Sequence, residues 1–158
     1  MEFTTDIFSL FNDKWALLTA GGMERFNSMT ISWGGLGTLW GKSVATVYVR
    51  TSRYTHEFLD SEDWFTLRFF PESCRDRLLL LGTKSGRDMD KMKDSGLEAL
   101  ACPGGVAYRE AELTLVCRKL FMERLDPAKL EGDLRGKLYT HDAPHDMYIG
   151  EVTELIRH

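Results

Sequence analysis

Asn27-Ser28-Met29-Thr30-Ile31-Ser32-Trp33 alternates with a period of two. Met29, Ile31 and Trp33 fall on one face and Ser28, Thr30 and Ser32 on the other, the pattern of a half-buried β-strand. Runs of similar character flank it. Residues 15–20 read as a strand ended by Gly21-Gly22. Residues 44–50 are β-branched and aromatic, and residues 64–70 form another such run, stopped by Pro71. Residues 111–124 predict a long strand with a bend or bulge, broken by Asp126-Pro127, and residues 147–156 a final one. The helical pieces are short. One starts at Thr51 or Ser52 and runs through Phe58 and Leu59. Another covers residues 72–81 and ends at Gly82, and a third covers 88–93 with Ser85 as cap and Gly96 as stop. Many strands, few helices and no regular βαβ alternation predict a mainly β fold, an antiparallel barrel with short helices. Closing the sheet also removes exposed edges.

The 158 residues suit one domain, expected over 1–158, with a real core. No repeat, low-complexity tract or long linker interrupts them. A net charge of -4 gives no broad basic field, so nucleic acid is not an expected partner. The apolar runs are too short to span a bilayer, and Met1-Glu2-Phe3-Thr4-Thr5-Asp6 has no signal-peptide pattern. The expectation is a cytoplasmic protein with no membrane partner. Cys74, Cys102 and Cys117 are odd in number and widely spaced, which argues against a disulfide framework or a cysteine-rich zinc site. Reduced, mostly buried thiols are expected.

Several motifs fail on inspection. Leu36-Gly37-Thr38-Leu39-Trp40-Gly41-Lys42-Ser43 approaches a P-loop, but Leu36 replaces the first glycine and a strand is expected after Ser43. Gly35-Leu36-Gly37 lacks the third glycine and the helix of a dinucleotide fingerprint. Asp88-Met89-Asp90 puts Met92 where a calcium loop needs oxygen, and reads as the acidic first turn of a helix. His141 and His145 have no carboxylate or thiolate cluster at ligand spacing, so no metal site is assigned.

Three segments carry phosphate-friendly chemistry. Asn27 and the hydroxyls of Ser28, Thr30 and Ser32 suit the mixed donor and acceptor edge of a planar ligand, with Trp33-Gly34-Gly35 allowing close approach. The plain alternative is a solvated strand face. Arg50 and Arg53 read as a phosphate clamp, with Thr51, Ser52 and Thr55 adding hydroxyls and Tyr54 a ring. The alternative is two surface arginines at a strand end. Lys84-Ser85-Gly86-Arg87-Asp88, running on to Lys91, reads as a second wall supplying positive charge, or as a charged loop before a helix.

Taken in order, Asn27-x-Met29-Thr30-x-Ser32-Trp33, Arg50-x-x-Arg53-Tyr54-Thr55 and Thr83-Lys84-Ser85-Gly86-Arg87-Asp88-x-Asp90-Lys91 resemble the flavin reductase-like, FMN-binding split-barrel family, above all its flavoredoxin-type branch. His145-x-Met147-Tyr148-Ile149-Gly150-Glu151 extends the resemblance. It implies an FMN-binding split barrel of antiparallel Greek-key type and a homodimer with FMN held non-covalently near the subunit interface. Asn27, Ser28, Met29, Thr30 and Ser32 would then border the flavin ring. Arg50, Arg53 and Thr55 would lie toward its phosphate, and residues 85–91 would close the site. His145 and Tyr148 would sit at the open face, where His145, with an ordinary pKa of about 6.5, orients nicotinamide or shuttles a proton. The sequence departs from the family pattern at Thr51-Ser52, where proline is frequent, and at His56, where an aromatic is frequent. The implied activity is that of an NAD(P)H-dependent flavin or ferric-type reductase. Electrons would pass from NADH or NADPH through FMN to a small-molecule acceptor or a redox protein. The alternatives are a non-enzymatic FMN-binding electron carrier, an oxidase of pyridoxamine-phosphate type, and a structural barrel with no cofactor.

Overall fold

The computed structural model describes Thr4–His158. Seven strands form one antiparallel sheet: β1 (Ala16–Gly22), β2 (Arg25–Ile31), β3 (Gly34–Leu39), β4 (Lys42–Arg50), β5 (Trp64–Phe69), β8 (Leu113–Arg124) and β9 (His145–Arg157). Their spatial order is β2-β1-β5-β8-β9-β4-β3. A separate hairpin comprises β6 (Ala99–Cys102) and β7 (Gly105–Tyr108). The helices are α1 (Ile7–Asn12), α2 (Tyr54–Ser61), α3 (Arg75–Thr83), α4 (Lys91–Ser95) and α5 (Gly132–Leu138).

The order carries a geometric consequence. β2 and β3 are the two outermost strands, yet only Ser32 and Trp33 join them. Three Cα steps reach at most about 11 Å, so the two edges of the sheet must meet at that end. The sheet is therefore curled into a barrel whose seam lies between β2 and β3.

Alternation then sorts side chains between two cores. Leu18, Met29, Ile31, Val47, Val49, Phe65, Leu67, Leu115 and Tyr148 fill the barrel, with Phe11 from α1 and Phe58 from α2 closing on them. Leu17, Phe70, Leu78, Leu81, Val106 and Tyr108 form a second core outside it, where α3 and the β6–β7 hairpin cover β1. β1 is thus buried on both faces, with residues 16–21 all buried. A polar side chain on the outer face of β1, β2 or β5 in this region is consequently not solvated: Thr19, Ser28 and Thr66 are fully buried.

The structure moves several sequence-derived boundaries. α3 runs through Gly82 to Thr83, after a 3₁₀ turn at Glu72–Cys74, so Gly82 does not stop it. α4 starts at Lys91, and Asp90, not Ser85, caps it by accepting from the Lys93 amide at 3.2 Å; Gly96 does end it in the left-handed conformation. Arg53 occupies the cap position of α2 and no side chain caps that helix. β8 carries the expected irregularity, with register shifts at Val116/Cys117 and Lys119/Phe121. β3, the β6–β7 hairpin, α1 and α5 are additions. The P-loop look-alike is the β3–β4 hairpin, turned at Trp40 (φ 52) and Gly41 (φ 69), both left-handed as a two-residue hairpin turn requires. None of the described helices is long and apolar enough to cross a membrane.

Gly150 of β9 is packed where a side chain has no room. A Cβ there would lie 2.7 Å from the Phe65 ring and 3.0 Å from Cys117 Cβ. Gly150→Ala is expected to destabilise the fold by about 1–3 kcal/mol, the usual cost of overpacking, read as a lower urea midpoint at unchanged slope.

Candidate functional site

The seam between β2 and β3 opens into a small cleft of about 160 Å³, lined by Met29, Thr30, Ile31, Ser32, Trp33, Tyr48, Arg50, Arg53, Gly82 and His145. Sheet register puts Arg50, the last residue of β4, directly opposite His145, the first of β9. Trp33 leans on the His145 ring with centroids 5.1 Å apart. Arg53 enters from the start of α2 and donates from Nη2 to the Gly82 carbonyl at 2.8 Å. A neighbouring hollow of about 220 Å³ shares Thr30, Ser32 and Gly82 and adds Trp15, Leu78, Leu79 and Thr83.

The electrostatics of the cleft are one-sided, because two guanidinium groups and no carboxylate line it. Arg53 has no carboxylate partner among the described residues, and burial lowers its pKa. Arg50 donates to the carbonyls of Ala143 (2.7 Å) and Leu138 (3.3 Å), and its nearest acid is the exposed Asp142 at 3.7 Å. Burial, aided by Arg50, pushes His145 down to about 4, so its ring is neutral near pH 7. Its Nδ1 shares a 2.7 Å hydrogen bond with the Tyr139 hydroxyl. A neutral ring of this kind differs from the proton shuttle expected from an ordinary histidine pKa.

A second cleft of about 530 Å³ gathers most of the remaining sequence-derived residues: Asn27, Tyr54, Gly86, Arg87, Asp88 and Lys91, with Arg25, Phe58 and Met92. Gly86 presses against Asn27 and Tyr54, and a Cβ there would fall 2.4 Å from Asn27 Oδ1 and 3.0 Å from Tyr54 Cδ1. Asn27 is buried and donates from Nδ2 to the Thr55 hydroxyl at 2.7 Å. Arg87 is ion-paired to Glu57, donates to the Ser52 carbonyl at 3.0 Å and stands 5.1 Å from the Tyr54 ring centroid. Ser85 accepts from the Arg87 amide at 3.2 Å, and Lys84 is exposed.

The C-terminus of α3 separates the clefts, and cations hold it from both sides. Arg53 takes Gly82 O, and the buried Lys91 donates to Leu81 O and Lys84 O, each at 3.1 Å. These are the carbonyls a helix end leaves unsatisfied. Burial, then the charge of Arg53, brings Lys91 down to about 8.

Ser28, Thr55 and Tyr148, like Lys84 and Ser85, line neither cleft. Ser28 is fully buried and hydrogen-bonds the Thr19 (2.6 Å) and Tyr108 (2.7 Å) hydroxyls. Thr55 is buried beneath Asn27. Tyr148 is in the barrel core, donating to Asp60 at 2.6 Å, with its pKa raised by burial and then by Asp60. Three residues along β9 from His145, it points to the opposite face. Conversely Tyr48 and Tyr139 join the site unannounced. Tyr48 was findable, because it precedes Arg50 by two on one strand and shares its face.

A separate polar knot ties α2 to β8 and β9. Asp146 accepts from His56 Nε2 (2.7 Å) and from Arg124 Nε (2.8 Å) and Nη2 (3.2 Å). Burial opposes its ionisation, but the Arg124 and His56 bonds outweigh it and hold its pKa below the usual range. His56, Asp60 and Asp146 offer three ligand atoms within 4.8 Å, but both Asp146 oxygens are already engaged.

No family model matches the sequence, nor does any curated protein. Solved structures match at the level of the fold. The chain resembles flavoredoxin from Methanosarcina acetivorans with a TM-score of 0.71 and 20% identity, covering 100% of this chain and 75% of that one. It resembles an FMN-binding protein from Thermus thermophilus, solved with 1-cyclohex-2-enone, at 0.70 and 20%, covering 99% and 79%. It resembles the NADH:FAD oxidoreductase SgcE6 of Streptomyces globisporus C-1027 at 0.68 and 16%, covering 92% and 75%. The fold is thus that of the flavin reductase-like, FMN-binding split barrels.

The low His145 value fixes an acid response. Between about 4 and about 6.5 the unfolded chain binds a proton that the folded chain refuses. The stability that depends on the neutral ring is complete above that window and lost as pH falls through it, amounting to about 1–3 kcal/mol. Urea unfolding across this range should show the loss, and His145→Gln should flatten it.

Proposed function

We propose that this protein is a flavin-binding oxidoreductase that holds FMN in the seam cleft and its adjoining hollows. The carrying observation is the pair Arg50 and Arg53 lining a cleft that contains hydroxyls and aromatic rings but no carboxylate. The half-buried Arg53, without an acid partner among the described residues, favours an anionic ligand, and guanidinium forks match phosphate oxygens. The polar set fits the group: Arg50 and Arg53 for the phosphate, the Ser32 hydroxyl and the acceptor side of Thr30, whose proton goes to Leu78 O, for polar ring atoms, and Trp33 and Tyr48 as apolar walls. The resemblance to solved flavoproteins supports the same reading.

When bound, FMN would supply hydride and electron transfer between a nicotinamide donor, NADH or NADPH, and a small acceptor or redox protein. The chain's own residues have narrower tasks. Arg50 and Arg53 neutralise and orient the phosphate. The neutral His145, held by Tyr139 and leaning on Trp33, contributes a polar but uncharged edge at neutral pH. Trp33, partly exposed at the link between β2 and β3, limits water at the cleft mouth. Asn27, Gly86 and Arg87 shape the second cleft, whose lining balances Arg25, Arg87 and Lys91 against Glu24, Asp88 and Asp90. A homodimer, as the sequence resemblance implies, is part of this proposal.

The flavin-free protein, titrated with FMN and with riboflavin, tests the reading. Saturable FMN binding is expected. Arg53→Met should weaken FMN about ten- to a hundredfold, the worth of a charge-assisted hydrogen bond, and leave riboflavin, which has no phosphate, nearly unchanged. A folded sample that binds neither overturns the proposal. Bleaching of the bound flavin by NADH or NADPH then tests the reductase part on its own.

A further inference from the structure

Among the described residues, Arg68 is the most deeply buried charge. It lies on β5 with its side chain outside the barrel, beneath the β6–β7 hairpin, and has no solvent exposure. Nη1 donates to the Thr66 hydroxyl, Nη2 donates to Cys102 Sγ at 3.3 Å, and the group stands 5.4 Å from the Tyr108 ring centroid. Nε has no partner at all. No carboxylate pairs with Arg68 among the described residues. A guanidinium removed from water without a counter-charge is costly, and burial lowers its pKa.

The acidic groups near it are Cys102, Tyr108 and Cys117. Tyr108 is pushed up to about 12 by burial, and burial likewise raises Cys117. Both therefore stay protonated. Cys102 differs in position: it is the last residue of β6, next to the Pro103-Gly104 turn, and only partly buried between the exposed Ala101 and Pro103. Its sulfur thus faces a buried cation, in a residue that is only partly buried.

We propose that Cys102 is a site of oxidative or electrophilic modification, with Arg68 as the positioning residue that favours negative charge on its sulfur. The thiolate is the nucleophile in such reactions, and an adjacent guanidinium promotes it. With hydrogen peroxide as oxidant, the sulfur attacks one oxygen, an S–O bond forms, the O–O bond breaks and hydroxide leaves. The sulfur, oxidised by two electrons, becomes a sulfenic acid. The new oxygen is an acceptor for the guanidinium, whose Nη2 already donates to the sulfur and whose Nε–H is unpartnered. This site is independent of flavin binding.

The native protein, treated with hydrogen peroxide and trapped with dimedone, should carry the adduct at Cys102 and not at the buried Cys74 or Cys117, as read by peptide mass spectrometry. Iodoacetamide should alkylate Cys102 in the native protein at least about tenfold faster than in Arg68→Met, and faster than in the denatured wild-type chain. Arg68→Lys, which keeps the charge, should recover part of the rate. A native Cys102 that reacts no faster than in the denatured chain, or that is bypassed in favour of another cysteine, overturns the proposal even if Arg68→Met fails to fold.

Discussion

The structure depends on a connection that is too short for a flat sheet. β2 and β3 stand at opposite ends of the strand order but are separated by two residues of chain. Curling is the only arrangement compatible with this, and it creates both the closed apolar interior and the seam beside which the cleft lies. The residues of the link are also residues of the cleft: Ser32 and Trp33 line it. Closure and site formation are therefore one event.

The second organising element is the end of α3. A helix C-terminus carries partial negative charge and unsatisfied carbonyls, and here it points between the two clefts. Arg53 and Lys91 reach it from opposite walls. The arrangement holds two cations at fixed positions inside the protein without an acid partner for Arg53. Carbonyl dipoles engage a guanidinium less strongly than an anion does, so positive potential is left over for a ligand.

The sequence reveals elements wherever one face of a strand meets the interior. β1, β2, β4, β5, β8 and β9 are all visible in it, because inward apolar residues alternate or run continuously. β3 is hidden because three glycines in Gly34–Leu39 leave little pattern to read, and β6 and β7 because four residues each are too few. The site was partly legible. Arg50 ends β4, Ser32 and Trp33 follow β2 and Arg53 opens α2, positions where their chemistry stands out. Ser28 misleads for a different reason. Alternation assigns it to the outer face of β2 but cannot announce that the hairpin, arriving some eighty residues later through Tyr108, roofs that face over. Lys91 is similar: its charge is evident, but its return to carbonyls of the preceding helix is not. Cys102 and Arg68 meet only because the same hairpin folds over β5.

The excursion between β8 and β9 is pinched shut at its base. The Leu125 amide donates to His145 O at 3.0 Å, so the chain leaves and rejoins the barrel at one point, and Thr51 N holds Pro144 O at the same distance. Lengthening a loop with tethered ends costs little more than the logarithm of its size. This excursion is thus where the architecture is most evolvable: insertions there can reshape the approach to the His145 edge while the strands, their register and the seam remain as they are.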